Sequence, residues 1–225
     1  MKVQALFYLA VIALLAGCAG ERPELPKQRV VVIGDLHADI NAARRAFQLA
    51  DATNDQNEWI GGDLVVVQLG DIIGRSYEDR EVLDFILELR EKAEAGGGRV
   101  HGGVTPHWAR YGVIRINQEV SQWFAGHTDE PISAQGMNPG NYDDSVLMSR
   151  HFSEDVDEND CVMLEESLKL LNAKRMIVAH SVQDSITARC NEKVWAVDVG
   201  MSRYYGGPLQ VLEIIDDDIL SVIEY

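Results

Sequence analysis

Basic residues are scarce in this 225-residue chain, and the shortage limits the partners it can have. Lysine and arginine number 20 against 36 aspartates and glutamates, which gives a formal net charge of −16. Proteins that bind nucleic acid neutralise its phosphates with lysine and arginine, so we exclude nucleic acid as the main partner. One electropositive pocket remains compatible with this composition, because net charge says little about an individual site.

Cysteine is also scarce, with Cys18, Cys161 and Cys190 as its three occurrences. Neither Cys161 nor Cys190 lies in the CxxC spacing of a metal site, so we predict no catalytic role for them. In an oxidising compartment the two could form a disulfide, and otherwise they would be buried free thiols. The sequence leaves both alternatives open, because pairing depends on the distance between the Cα atoms.

The N-terminal apolar run, Ala5 to Leu15, is too short to cross a membrane, which takes about 20 apolar residues. It follows the basic start Met1-Lys2 and precedes Leu15-Ala16-Gly17-Cys18. This arrangement resembles a secretory signal that ends in a bacterial lipoprotein box, in which the cysteine is freed by cleavage and lipidated. The alternative is a cleaved signal that has a cysteine near its end by coincidence.

This interpretation divides the chain into a signal peptide (1–17), a tether (18–28) and one domain (29–225). We expect the protein in the bacterial cell envelope, anchored by a lipid on Cys18 and facing the periplasm. The residue after this cysteine is Ala19 rather than the aspartate of an inner-membrane retention signal, so we expect the outer membrane.

The domain alternates strand-forming segments with segments of helical periodicity. Arg29 to Ile33 predicts a buried strand and Ile40 to Leu49 a helix; Asp63 to Leu69 and Tyr77 to Ala95 repeat this order. The further predicted elements are helices over Trp108–Phe124 and Val162–Leu171, strands over Arg99–His101, Arg175–Ala179 and Trp195–Val199, and a terminal hairpin of Leu209–Ile215 with Ile219–Ile223. The order predicts an α/β fold with a parallel sheet.

Potential metal ligands follow three of the predicted strands. Asp35 and His37 follow the first, Asp71 the second, and His180 the strand that ends at Ala179. Parallel strands bring such ends to one edge of a sheet, where oxygen and nitrogen donors suit a divalent transition metal. Taken singly, Asp35 could instead be a helix cap and His180 a structural histidine, but their joint occurrence favours a metal site.

A metal pair at this edge would suit phosphate chemistry. Asp71 could bridge two cations, which together clamp a phosphate and lower the pKa of a bound water. Arg75, four residues further on, has the planar fork that binds the non-bridging phosphate oxygens. The alternative for Arg75 is a salt bridge at the start of the following helix.

These segments carry a family resemblance. GDLHAD, GDIIGRS, HGGVTP and MIVAHS resemble, in order, motifs of the calcineurin-like metallophosphoesterases of the phosphoprotein phosphatase type, whose series is GDxHG, GDxxDRG, GNHE, HGG and GHT. More narrowly, WIGGDLVVVQLGD, AEAGGGRVH and VWAVDVGMSRYYGGPLQVLEI are similar to the bacterial branch known as Shewanella-like phosphatases. The resemblance extends over nearly all of the chain from Gln28 to Glu213.

The resemblance implies a layered α/β/β/α sandwich and an enzyme that hydrolyses phosphomonoesters by attack of a metal-activated hydroxide. The implied cofactors are two divalent ions (Mn, Fe or Zn), and the implied substrate is a phosphorylated small molecule or a phosphoprotein. The implied metal ligands are Asp35, His37, Asp71, His101 and His180. Arg75 and Arg150 match the arginines that bind phosphate, and Tyr205 matches a tyrosine that lines the pocket.

The sequence also departs from this family. It contains no GNHE, so the asparagine ligand of the second metal and the histidine that protonates the leaving group have no counterpart, and Gly74 replaces the aspartate of DRG. The missing segment would lie at Arg99-Val100-His101, which predicts a fold without one strand and its connections. Three alternatives follow: a slowed phosphatase, a relic that binds metal or a phosphorylated ligand, or an internally deleted gene product.

Overall fold

A computed structural model of the chain describes residues 28–94, 110–129 and 149–225. The predicted signal peptide, nearly all of the tether and the predicted strand Arg99–His101 lie outside the described residues, and so does the candidate ligand His101. Among the described residues, no helix has the length and apolar character needed to cross a membrane.

The described part of the chain contains strands and helices in mixed order. The strands are β1 (Arg29–Ile33), β2 (Val65–Gln68), β3 (Met176–Val178), β4 (Thr187–Arg189), β5 (Val194–Ala196), β6 (Gln210–Ile215) and β7 (Ile219–Glu224). The helices are α1 (Ile40–Leu49), α2 (Asp79–Glu94), α3 (Val113–Phe124) and α4 (Glu158–Leu171). Except for β4, each of them was predicted from the sequence, with bounds that shift by a few residues.

The strands form two sheets rather than one. One has the order β2-β1-β6-β7 and the other β3-β5-β4. Only the pairs β1/β2 and β3/β5 are parallel. The expectation of parallel pairing is confirmed for β1 and β2 but does not hold for the whole sheet. Strand β6 of the C-terminal hairpin pairs antiparallel with the other side of β1, opposite Val31 and Val32. Two sheets flanked by helices agree with the layered fold that the family resemblance implied.

The main core lies between the first sheet and helices α1 and α2. Strand β1 is fully buried at Val31 and Ile33, and α1 contributes Phe47, whose ring meets Phe85 of α2 edge-on at 5.5 Å between centroids. A second, smaller cluster joins α4 to the other sheet: Phe152, Leu164, Leu168, Met176, Val178, Val194 and Ala196. The second sheet also packs against the main core, through Ile177 of β3 and Trp195 of β5.

Three local features differ from the sequence predictions. Helix α4 begins at Glu158 rather than Val162, because Asp157 and Asp160 form a capping box that stabilises an earlier start. The amphipathic pattern of the predicted helix Trp108–Phe124 favours an inward position for Ile114, but this side chain is 76 % exposed. Strand β4 was missed because three half-buried residues, Thr187 to Arg189, carry no recognisable period.

A disulfide joins Cys161 and Cys190, whose Cα atoms are 5.3 Å apart. It ties the first turn of α4 to the connection between β4 and β5. Of the two alternatives that the sequence left open for these cysteines, the structure has the disulfide.

Candidate metal and phosphate site

The loops that follow β1 and β2 are joined by backbone hydrogen bonds. The amides of Leu36 and His37 donate to the carbonyl of Asp71, at 3.2 and 2.7 Å, and the amide of Ala38 donates to that of Ile72 at 2.8 Å. This bonding brings Asp35, His37 and Asp71 together, with ligand atoms that all lie within 4.8 Å of one another. Nε2 of His37 is 3.7 Å from Oδ2 of Asp35 and 3.8 Å from Oδ2 of Asp71.

Two of these side chains are buried without sufficient partners. Asp35 is 2 % exposed and His37 4 %, and neither Oδ2 of Asp35 nor Nδ1 of His37 has a hydrogen-bond partner among the described residues. Burial, together with repulsion from Asp198 and Asp71, raises the pKa of Asp35 to about 8. Buried polar atoms without a partner are costly, and a divalent cation within this group would satisfy Oδ2 of Asp35 and bind Nε2 of His37, the ring nitrogen that faces both carboxylates. The donor set therefore fits a metal ion.

Left-handed backbone conformations occur at the site as well as in turns elsewhere in the described part of the chain. His37, Asp71, Arg75 and His180 all have left-handed φ values, of 48°, 39°, 72° and 72°. This conformation costs a residue other than glycine roughly 1–3 kcal/mol, and it persists only where the surrounding structure enforces it. Four candidate residues in this conformation at one point are compatible with a functional site, in which the surrounding loops enforce the backbone.

His180 reaches the site from the other sheet. It follows β3, and its Nδ1 lies 3.4 Å from Oδ2 of Asp71. The hydrogen bond from His180 is the main reason why the pKa of Asp71 is below its usual range. The predicted convergence of strand ends is thus observed, although the strands that provide it belong to two sheets.

Arg150 lies beside His180, as the family resemblance implied. Its guanidinium donates to Oγ of Ser181 at 3.0 Å, and one of its nitrogens is 3.4 Å from Nε2 of His180. The same guanidinium also forms an ion pair with Glu154. Arg150 is therefore close to the candidate ligands, but its charge is shared with a carboxylate.

Arg75 has a different environment. In the part of the chain that the structure describes, its guanidinium forms no hydrogen bond or ion pair, so the alternative of a salt bridge at the start of α2 is not seen there. Its carbon Cζ lies 5.8 Å from the centre of the Tyr204 ring. Tyr204 meets Tyr205 edge-on at 4.9 Å, and the Tyr205 ring lies 5.1 Å from that of His37. Tyr205 thus borders the predicted ligand group.

Asp198 belongs to the site and was missed in the sequence analysis. It is 1 % exposed, its Oδ1 accepts a hydrogen bond from the Gly200 amide at 2.9 Å, and its Oδ2 has no partner among the described residues. Burial raises its pKa. The predicted strand Trp195–Val199 contains Asp198 and so hid it, whereas the observed β5 ends at Ala196 and Asp198 follows the strand as Asp71 follows β2.

The comparisons with known proteins agree with this geometry. No protein-family model matches the chain. Shewanella-like protein phosphatase 2 of Arabidopsis thaliana is 26 % identical, and the match covers 90 % of this chain and 78 % of that protein. Shewanella-like protein phosphatase 1 of Plasmodium berghei is 22 % identical over 87 % of this chain and 74 % of its own length.

Solved structures give the fold. The cold-active protein tyrosine phosphatase of a psychrophilic Shewanella matches with a TM-score of 0.65 at 16 % identity, over 88 % of this chain and 80 % of that one. The chain therefore has the fold of these phosphatases. In sequence the chain is similar to the Shewanella-like protein phosphatases, and the resemblance predicted from the motifs is confirmed.

Proposed function

We propose that this protein is a metal-dependent phosphatase that hydrolyses phosphomonoesters. The observation that carries the proposal is the group of Asp35, His37 and Asp71, in which buried atoms lack hydrogen-bond partners among the described residues. It lies near the exposed guanidinium of Arg75, which forms no hydrogen bond or ion pair within the described part of the chain. The relatives named above are protein phosphatases, which supports a phosphoprotein substrate, and a phosphorylated small molecule is the other candidate.

We propose two divalent ions, Mn, Fe or Zn, as cofactors. Asp35, His37 and Asp71 would hold the first, and Asp71 with His180 would hold the second, to which we also assign His101. When bound, such ions polarise the phosphoryl oxygens and supply hydroxide at neutral pH. The mixture of carboxylate and imidazole donors is compatible with each of the three metals.

The arginines would bind the phosphoryl group from two sides. Arg75 presents a free guanidinium, and this planar fork can bind two phosphate oxygens at once. Arg150 pairs with Glu154, so a phosphate must compete with that carboxylate for it. We therefore assign the initial capture of phosphate to Arg75 and a later contact to Arg150.

The absence of GNHE limits which leaving groups can depart. Protonation of a leaving group by a positioned acid contributes a factor of about 10² to 10⁴, so its loss slows esters of weakly acidic alcohols most. Aryl phosphates suffer least, because their leaving groups need little protonation. We expect slow turnover with a preference for aryl over alkyl phosphates.

The test is manganese-dependent hydrolysis of an aryl phosphate by the full chain. Asp71→Asn should abolish most of this activity because it removes the carboxylate shared by the proposed ions. The matched control is Asp63→Asn, which changes an exposed aspartate at the other end of β2. Equal activity in both variants would show that the site described here is not responsible.

A relic that binds ligands without turnover is the second candidate. It is favoured by the missing GNHE, by Gly74 in place of an aspartate, and by the ion pair that occupies Arg150. Calorimetry that finds phosphate binding to a metal-loaded protein without hydrolysis of any aryl phosphate would favour this candidate over the enzyme.

We also propose that the protein is lipid-anchored through Cys18 and faces the periplasm, in the outer membrane. The disulfide between Cys161 and Cys190 supports an extracytoplasmic location, because disulfides persist in oxidising compartments. Cys18→Ser should move the protein from the membrane fraction to the soluble fraction and abolish labelling with a radioactive fatty acid.

A further inference from the structure

One carboxylate, that of Asp39, binds two separate parts of the chain. As the N-cap of α1 it accepts the amides of Asn41 and Ala42, each at 3.1 Å. It also accepts three hydrogen bonds from Arg203: the backbone amide at 2.7 Å, Nε at 3.0 Å and a terminal guanidinium nitrogen at 2.8 Å. The two hydrogen bonds from Asn41 and Ala42 are sufficient for a helix cap, so the three from Arg203 indicate a second role for Asp39.

Glu78 extends this connection to the approach to α2. Its Oε2 accepts from Arg203 at 2.7 Å and from the amide of Ile40 at 3.2 Å, while its own amide donates to the carbonyl of Ala38. The guanidinium of Arg203 thus holds together the loop after β1, the loop after β2 and the turn that carries Arg203 itself.

That turn, residues 200–207, is tightly built. The amides of Tyr205 and Gly206 both donate to the carbonyl of Ser202, and the amide of Gly207 donates to that of Gly200. A Cβ at Gly207 would lie 1.8 Å from the carbonyl oxygen of Val199, so only glycine fits there. Because the turn is internally bonded, fixing Arg203 also fixes its two neighbours, Tyr204 and Tyr205.

The two tyrosines connect the turn that carries Arg203 to the candidate phosphate site. Tyr205 lies against His37, and Tyr204 lies beside the guanidinium of Arg75. In the described part of the chain, the guanidinium of Arg75 lies over the ring of Tyr204. Without it, the long side chain of Arg75 would sample more rotamers and would lose more freedom when it binds phosphate.

We propose that Arg203 is a positioning residue for phosphate binding: by clamping the 200–207 turn to Asp39 and Glu78, it holds Tyr204 against Arg75. The inference rests on the proposed phosphatase function and adds two residues to it. Arg203 acts through Tyr204, and Tyr204 acts on Arg75, so removing either of them weakens phosphate binding while the metal ligands stay in place.

The experiment is a calorimetric titration of inorganic phosphate into the metal-loaded full chain, with four variants. These are Arg203→Lys, which keeps the charge but loses the fork; Tyr204→Leu; the double variant; and Arg29→Lys as the control. Arg29 is another arginine in an ion pair, with Glu213 at 2.6 Å, and it lies at the start of β1, away from the site.

We expect Arg203→Lys and Tyr204→Leu each to raise the Kd for phosphate about three- to tenfold, the range expected from freeing one long side chain. The Kd of the double variant for phosphate should lie within about twofold of the higher of the two single-variant values, because the two residues act in series. KM for an aryl phosphate should rise by the same factor, with kcat nearly unchanged and metal content equal to that of the wild type.

A merely structural role for Arg203 predicts a different outcome. Arg203→Lys would then lower the melting temperature as Arg29→Lys does and leave the phosphate Kd unchanged, which would overturn the inference. If Arg203→Lys does not fold, the exposed Tyr204→Leu decides alone: an unchanged Kd would overturn the inference. Failure of the wild type itself to bind phosphate would refute the proposed function together with the inference.

Discussion

The site has two halves that differ in exposure. We call Asp35, His37 and Asp198 the buried half, and Asp71, Arg75, Arg150 and His180 the exposed half. Asp35 and Asp198 are 2 % and 1 % exposed, whereas the side chains of Asp71 and Arg150 are 46 % and 44 % exposed. Charges in the buried half lack compensation from water, so that half depends on a cation.

The exposed half depends on weaker contacts. Its ion pair between Arg150 and Glu154 is open to solvent, and such pairs contribute little to stability. The difference indicates a division of labour: Asp35 and His37 in the buried half hold the first proposed metal, and the arginines of the exposed half can rearrange around the phosphate. Asp71 and His180 of the exposed half are proposed metal ligands as well, so they connect the two halves. Variants of the two halves should therefore change different observables.

The largest effect should come from Asp35→Asn in the buried half. Removing a ligand from the first metal should reduce activity by about 10³-fold or more, since a catalytic metal contributes several kcal/mol. In the metal-free protein the same change removes one of two buried carboxylates and should leave the melting temperature equal or higher. Metal analysis and calorimetry with and without a chelator would check both effects.

Retention of the metal by Asp35→Asn would contradict the view that the buried half holds the metal and depends on it. The matched control is again Asp63→Asn, which is exposed and should change neither the metal content nor the melting temperature. A fall in the melting temperature of metal-free Asp35→Asn would show that the buried half is stabilised by its own contacts rather than by a cation.

The second largest effect concerns the support of the exposed half. The disulfide closes a segment with a sequence separation of 29 residues, and its removal should cost roughly 3–4 kcal/mol of unfolding free energy. Asp160, next to Cys161, lies 3.3 Å from His151, the neighbour of Arg150, so phosphate affinity should fall as well. Denaturant unfolding and phosphate titration of Cys161→Ser/Cys190→Ser would measure both effects.

Metal content separates the two halves in this variant. It should stay at the wild-type level, because Asp35 and His37 are held by the loops after β1 and β2 and not by α4. Loss of metal on removing the disulfide would mean that the halves are not independent.

A smaller effect should follow from freeing Arg150. Glu154→Gln removes the competing carboxylate and should tighten phosphate binding about two- to fivefold, since exposed ion pairs are worth at most about 1 kcal/mol. Glu158→Gln is the control, because it removes a nearby negative charge that does not contact Arg150. If both variants tighten phosphate binding equally, net charge rather than the ion pair is the cause.

The sequence predicted the site better than it predicted the contacts that hold it. Asp35, His37, Asp71 and His180 were predictable because each follows a short apolar strand. Asp198 was missed because the predicted strand Trp195–Val199 extended past the observed end of β5 at Ala196 and enclosed it. The antiparallel pairing of β6 with β1 and the bonds of Arg203 to Asp39 were not predictable, because they join residues far apart in the chain and leave no local period.

The smallest effect should be at the cap of α4, which follows the Arg150 segment. Hydrogen bonds from the Asp160 backbone amide and from Asn159 lower the pKa of Asp157, so its folded-state pKa lies below its unfolded value of about 3.9. Where the unfolded state binds more protons, stability rises with pH. The stabilisation of the folded state by Asp157 is thus fully present above about pH 4 and is lost as the pH falls through the folded-state pKa.

Asp157→Ala should therefore lower the melting temperature near neutral pH, and its difference from the wild type should shrink between about pH 5 and about pH 3. Calorimetric melts across this range would measure it. Asp184→Ala, at an exposed aspartate, should show no such change. A difference in melting temperature that is constant with pH would mean that Asp157 stabilises α4 by the geometry of its cap and not by its charge. Acid would then not weaken the helix that follows the Arg150 segment.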